Sequence, residues 1–395
     1  MKNVSSSLLF ALPLVITVAG LAQTFTLDTT PNPSGSGSLQ PNWSVTQDGS
    51  PLLSWIEAAK DGSYSLRYAV RHGSVWSEAR TVVAHRHFFR HPAEVPEIIA
   101  AGGGVLLAHW IETPQTESEA EYVYVSASSD GVTWSAPVMA SKDHSAVQHG
   151  LASMVANGDG TASLTWLQAL HGEDAPVSLM RTVVSAEGKA LKEEILDPDV
   201  CACCPTSVIK TAKGLLIAYR GLTDEGIRDI QVTRFENGHW SSPKLLNPDK
   251  WKLNACPTNA ASAAANGDHV AIAWYTGAAN SPRVQVAFSA DSGATFGKPA
   301  LVSTGHAYGY VSLSLDDDGS ALISWLEKGT EATAATHVLF RRIAANGAAG
   351  PVLSVDQGSR QSLGYPKIVH AGKETLIAWG TRKPSAKIVT ALLKK

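Results

Sequence analysis

Seven copies of one short pattern, frequent turn residues and sparse charge predict an all-β protein. The expected architecture is a seven-bladed β-propeller of four-stranded antiparallel blades, its ring closed by the N-terminal strand joining the C-terminal blade. The pattern is an apolar run ending in an aromatic: LLSW at Trp55, LLAHW at Trp110, SLTW at Trp166, LIAY at Tyr219, AIAW at Trp274, LISW at Trp325 and LIAW at Trp379. Successive copies lie 51 to 56 residues apart, about 54 on average. A fixed period of that length, with room for four short strands per unit, is how a propeller buries each blade against its neighbours while leaving only short edges.

The elements follow in order. Lys2 precedes the apolar run Leu8 to Leu21, and Gly20-Leu21-Ala22 offers small residues for cleavage, so residues 1–22 read as a signal peptide and 23–395 as a single propeller domain. The run is short for a bilayer core and holds Pro13, which speaks against an uncleaved anchor. Blades are expected at approximately 41–83, 96–140, 150–196, 204–247, 259–303, 309–355 and 364–393. Each begins with a strand of small residues. A Gly/Asp/Asn turn follows, such as Gly158-Asp159-Gly160 or Asp317-Asp318-Gly319, then the aromatic-ended strand. An alternating strand comes third, as in Val284 to Phe288, and a last strand often carries a phrase such as Trp240-Ser-Ser-Pro243. The seventh repeat has room for three strands only; residues 24–30 supply the fourth, and Pro31 to Ser38 is an exposed connector.

Composition agrees. Of 395 residues, 44% are hydrophobic and 17% charged, with 33 Gly and 20 Pro, which supports a large core and many turns. The 32 basic against 35 acidic residues leave a net charge of −3, which excludes nucleic acid or an anionic membrane as the main partner. Without Lys2 and the rest of the leader the charge is −4. Export places the protein in the periplasm or outside the cell, where four cysteines meet oxidising conditions and disulfides are the default.

Ser289-Ala-Asp291-Ser-Gly293-Ala-Thr295-Phe296 resembles the Asp-box, the Ser-x-Asp-x-Gly-x-Thr-aromatic turn of the sialidase (neuraminidase) superfamily. Ala127 to Trp134 is a degraded copy, with Ser129 where the Asp belongs. The resemblance implies a sialidase-like propeller. It also implies a site with arginines for a carboxylate, a Tyr nucleophile with a Glu partner, and an Asp acid/base. Phe89-Arg90-His91-Pro92 loosely echoes the family's first-arginine phrase. Arg220 or Arg228, then Arg283, then Tyr308 or Tyr310 occur in the family's order. On this resemblance Arg220, Arg283, Tyr308 and Tyr310 are the catalytic candidates, in a family whose sialidases have six blades rather than seven.

The residues themselves direct attention elsewhere. In a propeller the blade-to-blade connections share a face with the loops between second and third strands, and that face opens onto the central channel. All four cysteines and six of the thirteen histidines fall in five consecutive connections: His85 to His91, His144 to His149, Cys201-Ala-Cys203-Cys204, Cys256, and His306. Cys204-Pro-Thr and Cys256-Pro-Thr occupy equivalent points of adjacent repeats. Two readings follow. One is disulfides, for example Cys203 or Cys204 with Cys256 clamping two blades and Cys201 closing locally. The other is a metal site of Cys201, Cys203, Cys204 and Cys256 with His87, His91 or His149, a ligand set for copper or, if tetrahedral, zinc. The expected function is therefore an exported binding module with a Cys/His-rich ligand or soft-metal site on the junction face. A sialidase-like glycoside hydrolase and a protein-interaction scaffold with purely structural disulfides are the alternatives. The expected partner is a small-molecule, glycan or metal ligand, or another protein, and the mature chain has no membrane span.

Overall fold

The computed structural model describes residues 26–91, 93–114, 120–169, 176–329, 335–360, 363–382 and 385–394. The expected signal peptide, residues 1–22, lies outside them, as do Thr24 and Phe25 of the N-terminal strand and Pro92 of the arginine phrase. Among the described residues the strands form seven separate sheets, and the sole helical element is the 3-10 turn Ala278–Asn280. Blade 2 shows the plan: Glu97–Gly102, Val105–Glu112, Tyr122–Ser128 and Val138–Met139 pair in order as an antiparallel meander. In blade 7, Lys367–Ala371, Glu374–Thr381 and Lys387–Lys394 are followed outward by Thr26–Thr30, which pairs antiparallel with Lys387–Lys394.

The core is a ring rather than a ball. Seven apolar clusters each join two neighbouring blades, blades 1 and 2 around Trp110, for example, and blades 5 and 6 around Trp325. Each period therefore needs the same bulky aromatic. Trp55, Trp110, Trp166, Trp274 and Trp325 are fully buried, Tyr219 and Trp379 nearly so. A buried indole N–H needs an acceptor. In four blades it is the side chain two residues on (Glu57, Glu112, Gln168 and Glu327), while Trp274 and Trp379 donate to Asp249 and Asp356. The Tyr219 hydroxyl donates to Asp197. Trp325→Phe keeps an aromatic ring but loses part of the indole's volume and strips a donor from the buried Glu327 carboxylate, so it should cost about 1–3 kcal/mol in urea denaturation. Trp325→Ala should cost about 3–5.

The Asp-box turn forms as its sequence dictates. Asp291 accepts the Thr295 backbone N–H at 2.9 Å and the Ser289 and Thr295 hydroxyls at 2.7 Å each, and Gly293 takes φ +78° with its Cα packed against Leu216 of the preceding blade. In the degraded copy the cap moves one residue along: Asp130 accepts Val132 N–H at 2.8 Å and Thr133 N–H at 2.7 Å.

Candidate functional site

Where the inner strands begin, at the channel mouth, side chains and main chain stitch one blade to the next. The Gln40 amide donates to the Glu94 carbonyl, and Glu94 Oε1 accepts the Leu151 and Ala152 N–H groups. The Leu151 carbonyl accepts Thr206 N–H at 3.1 Å, Asn259 Oδ1 accepts Tyr310 N–H at 2.7 Å, and the Tyr310 ring stacks on Tyr365 at 3.8 Å. These residues recur at the repeat spacing. Gln40, Leu151, Thr258 and Tyr310 all have positive φ at or beside these starts, and the inner strands of blades 1, 3 and 6 carry register shifts there.

The cysteine loop sits on this face, where blade 3 hands over to blade 4. The Sγ atoms of Cys201, Cys203 and Cys204 lie within 4.8 Å of one another, with Cys201 and Cys203 at 3.7 Å. All four cysteines are free thiols, so neither the expected clamp from Cys203 or Cys204 to Cys256 nor a local closure by Cys201 is formed in this structure. Cys201 and Cys204 are buried, Cys203 is half-buried and Cys256 is exposed. The loop is held from both sides: Gln148 Nε2 donates to the Ala202 carbonyl at 2.8 Å, and Cys201 N–H donates to the Arg220 carbonyl at 3.1 Å. Arg228 Nη1 donates to Cys201 Sγ at 2.9 Å. Hydrogen bonds from the Cys203 and Cys204 thiols, with Arg228 adding its charge, hold the Cys201 thiol far below the usual range, while bonding to Cys201 pushes Cys203 up and burial pushes Cys204 up. The pocket thus favours one thiolate and presents three converging sulfurs.

Among the described residues, no imidazole or carboxylate joins this group within the same 4.8 Å. His87 is exposed, and His91 stacks on Phe89 and accepts Ala93 N–H. His149 is fully buried, its Nδ1 3.0 Å from the Val147 carbonyl and 3.1 Å from that of Glu121, and its Nε2 3.6 Å from Asp143.

The arginines implied by the resemblance are occupied. Arg220 is 2% exposed and donates to the carbonyls of Asn259, Tyr275 and Arg228, with Trp251 stacked on it at 5.0 Å. Arg283 donates to the Ala278 and Ser281 carbonyls and lies 3.7 Å from Asp249. Tyr308 and Tyr310 are brought together by Arg360, whose guanidinium lies over both rings and bonds the Tyr310 hydroxyl.

Sequence reasoning missed two groups on this face. Arg360 is one. The other is the pair Glu94 and Glu121, whose Oε2 atoms are both buried without a partner, with Glu121 in close contact with the Cα of Gly150, where any side chain would collide. Burial raises Glu121 to about 7, and burial with the neighbouring Glu121 charge raises Glu94 well above the carboxylate range. Their one sequence signal was position: Glu94 stands at the same repeat point as Gln40 and Asn259.

The profile of a family described as a BNR repeat-like domain matches residues 52–376. No curated protein matches the chain. Among solved structures, a protein of unknown function from Dyadobacter fermentans superposes with a TM-score of 0.52 at 13% identity, over 93% of this chain and 97% of that one. An ulvan lyase, described as a new family of polysaccharide lyase, gives 0.57 at 9% identity over 93% and 98%. A Trypanosoma rangeli sialidase in complex with the inhibitor DANA gives 0.48 at 14% identity, over 80% of this chain and 56% of that one. This chain thus spans little more than half the sialidase's length, and at such identities the likeness is one of fold alone.

Proposed function

The chain belongs to the BNR repeat-like, sialidase-like family, and from that premise we propose that it is an exported binding module whose site is the thiol pocket on the junction face. The ligand is thiophilic and small enough to meet three sulfurs at once, a soft metal ion above all. The observation that carries the reading is the convergence of Cys201, Cys203 and Cys204 within 4.8 Å as free thiols. A disulfide-clamped scaffold would spend these cysteines on covalent bonds. A carboxylate-binding hydrolase would need the guanidiniums of Arg220 and Arg283, which main-chain carbonyls already hold. The family resemblance supports the platform, and the cysteine loop supplies what is particular to this chain.

The test is thiol counting on protein purified from the exported fraction, with and without denaturant, together with metal analysis of the same sample. The expected result is four titratable thiols after denaturation and chelation, fewer before, and bound metal in the native sample. Four oxidised cysteines and no metal would sink the proposal.

A further inference from the structure

We infer that the thiol pocket selects a monovalent d10 cation, copper(I) foremost, over divalent zinc, binding it through Cys201, Cys203 and Cys204 with Arg228 and Arg220 as fixed counter-charges. This rests on the binding-module reading and names its ligand.

Coordination number is the first argument. Zinc sites close with four donors, nitrogen or oxygen completing sulfur where thiolates are too few. Here three sulfurs converge and, among the described residues, no imidazole or carboxylate stands with them. Three soft donors satisfy copper(I) or silver(I) without a fourth.

Charge is the second. When the ion binds, each thiol gives its proton to solvent and its sulfur bonds the metal, with no change of oxidation state. Three thiolates around a monovalent ion carry −2, and around a divalent ion −1. Two guanidiniums face that charge. Arg228 bonds Cys201 Sγ at 2.9 Å, and Arg220 lies within electrostatic reach of Cys204. Neither is free to leave: Arg228 Nε is tied to the Leu253 carbonyl at 2.9 Å, and Arg220 Nη1 to the Arg228 carbonyl at 2.6 Å. The two fixed guanidiniums attract the −2 complex of a monovalent ion more strongly than the −1 complex of zinc, an advantage reduced by Asp229, which is buried and also within electrostatic reach of Arg220.

Access is the third. Cys203 is half-buried while its two partners are closed off, so an ion reaches the group along one sulfur and meets two that solvent does not reach.

The experiment uses the full chain, reduced and handled without oxygen. Copper(I), supplied as its acetonitrile complex, is titrated against bathocuproine disulfonate, zinc against a chromophoric chelator, and the bound ions are examined by X-ray absorption. One copper(I) per chain with a sulfur-only first sphere is expected, with zinc weaker by at least about a hundredfold. Arg228→Met should weaken copper(I) by about tenfold or more, whereas Arg228→Lys, which keeps the charge, should retain most of the affinity; circular dichroism checks the fold of both. Zinc bound as tightly as copper(I) with nitrogen or oxygen in its sphere, or copper(I) affinity unchanged in Arg228→Met, overturns the inference while leaving the thiol pocket standing. Failure of the fully reduced protein to hold either ion removes the binding-module reading as well.

Discussion

Arg220→Met is expected to cost about 3–5 kcal/mol of unfolding free energy and to abolish ligand uptake by the cysteine loop. The guanidinium is a strut between blades. It gathers the Asn259 and Tyr275 carbonyls of blade 5 and the Arg228 carbonyl of its own blade, and its own carbonyl accepts the Cys201 N–H. Methionine fills the volume and bonds none of the carbonyls, leaving three buried acceptors bare. Lysine is not a remedy, because one ammonium cannot reach carbonyls that five donors in a planar fork now serve. Urea unfolding followed by tryptophan fluorescence measures the loss. A variant as stable as the wild type would show that Arg220 is held for a ligand rather than for the fold, and would reopen the hydrolase reading.

The second large effect is a dependence on pH. Glu121 is raised to about 7 and Glu94 well above its ordinary value, so the native state binds more protons than the unfolded chain between about pH 4.5 and 7. The sign follows: the pair leaves the fold most stable below the unfolded carboxylate pKa, and stability is lost as pH rises through that window. His91 works the other way, because burial lowers its pKa and the unfolded chain gains its proton as pH falls. The variant difference isolates the pair. Glu121→Gln should be more stable than wild type at pH 7.5 by on the order of 2 kcal/mol, with the advantage shrinking towards pH 4.5. Asp61 and Asp130, held at about 2 by capping hydrogen bonds, act only at lower pH. A variant less stable than wild type at pH 7.5 would mean that something other than a shared proton compensates the two carboxyl groups.

The fold was legible because inter-blade packing asks the same question of every repeat. A buried ring between two sheets must be large and flat at one fixed point, so Trp55 and its six counterparts announced the blades. The acceptor two residues on, Glu57, Glu112, Gln168 and Glu327, was written as plainly and went unread, because an exposed carboxylate and a buried one look alike in a sequence. The site was legible only in part. Cys201, Cys203 and Cys204 meet because three close neighbours on one tight loop can hardly avoid it. Repeat equivalence placed Cys256 beside them, yet it is exposed and stands outside the three-sulfur group, since the segment from Trp251 to Asn259 makes its own course. Arg360, Glu94 and Glu121 were hidden for a related reason: blade connections are irregular, and which of their side chains turn inward depends on partners in another connection, Tyr310 for Arg360, Leu151 for Glu94 and Gly150 for Glu121.

The pairing of Thr26–Thr30 with Lys387–Lys394 also has a bearing on time. Thr30 and Thr390, bonded through their hydroxyls, are 360 residues apart, so the first of these strands emerges from the ribosome long before its mate exists. Blades 1 to 6 can each zip up as they appear, but the seventh takes its outer strand from the N-terminal segment and is complete only once Lys387–Lys394 has been made. Clasping the ring is then a late, long-range and slow event. Until it happens both strands offer unpaired edges to any neighbouring copy, a hazard that ends when the two pair.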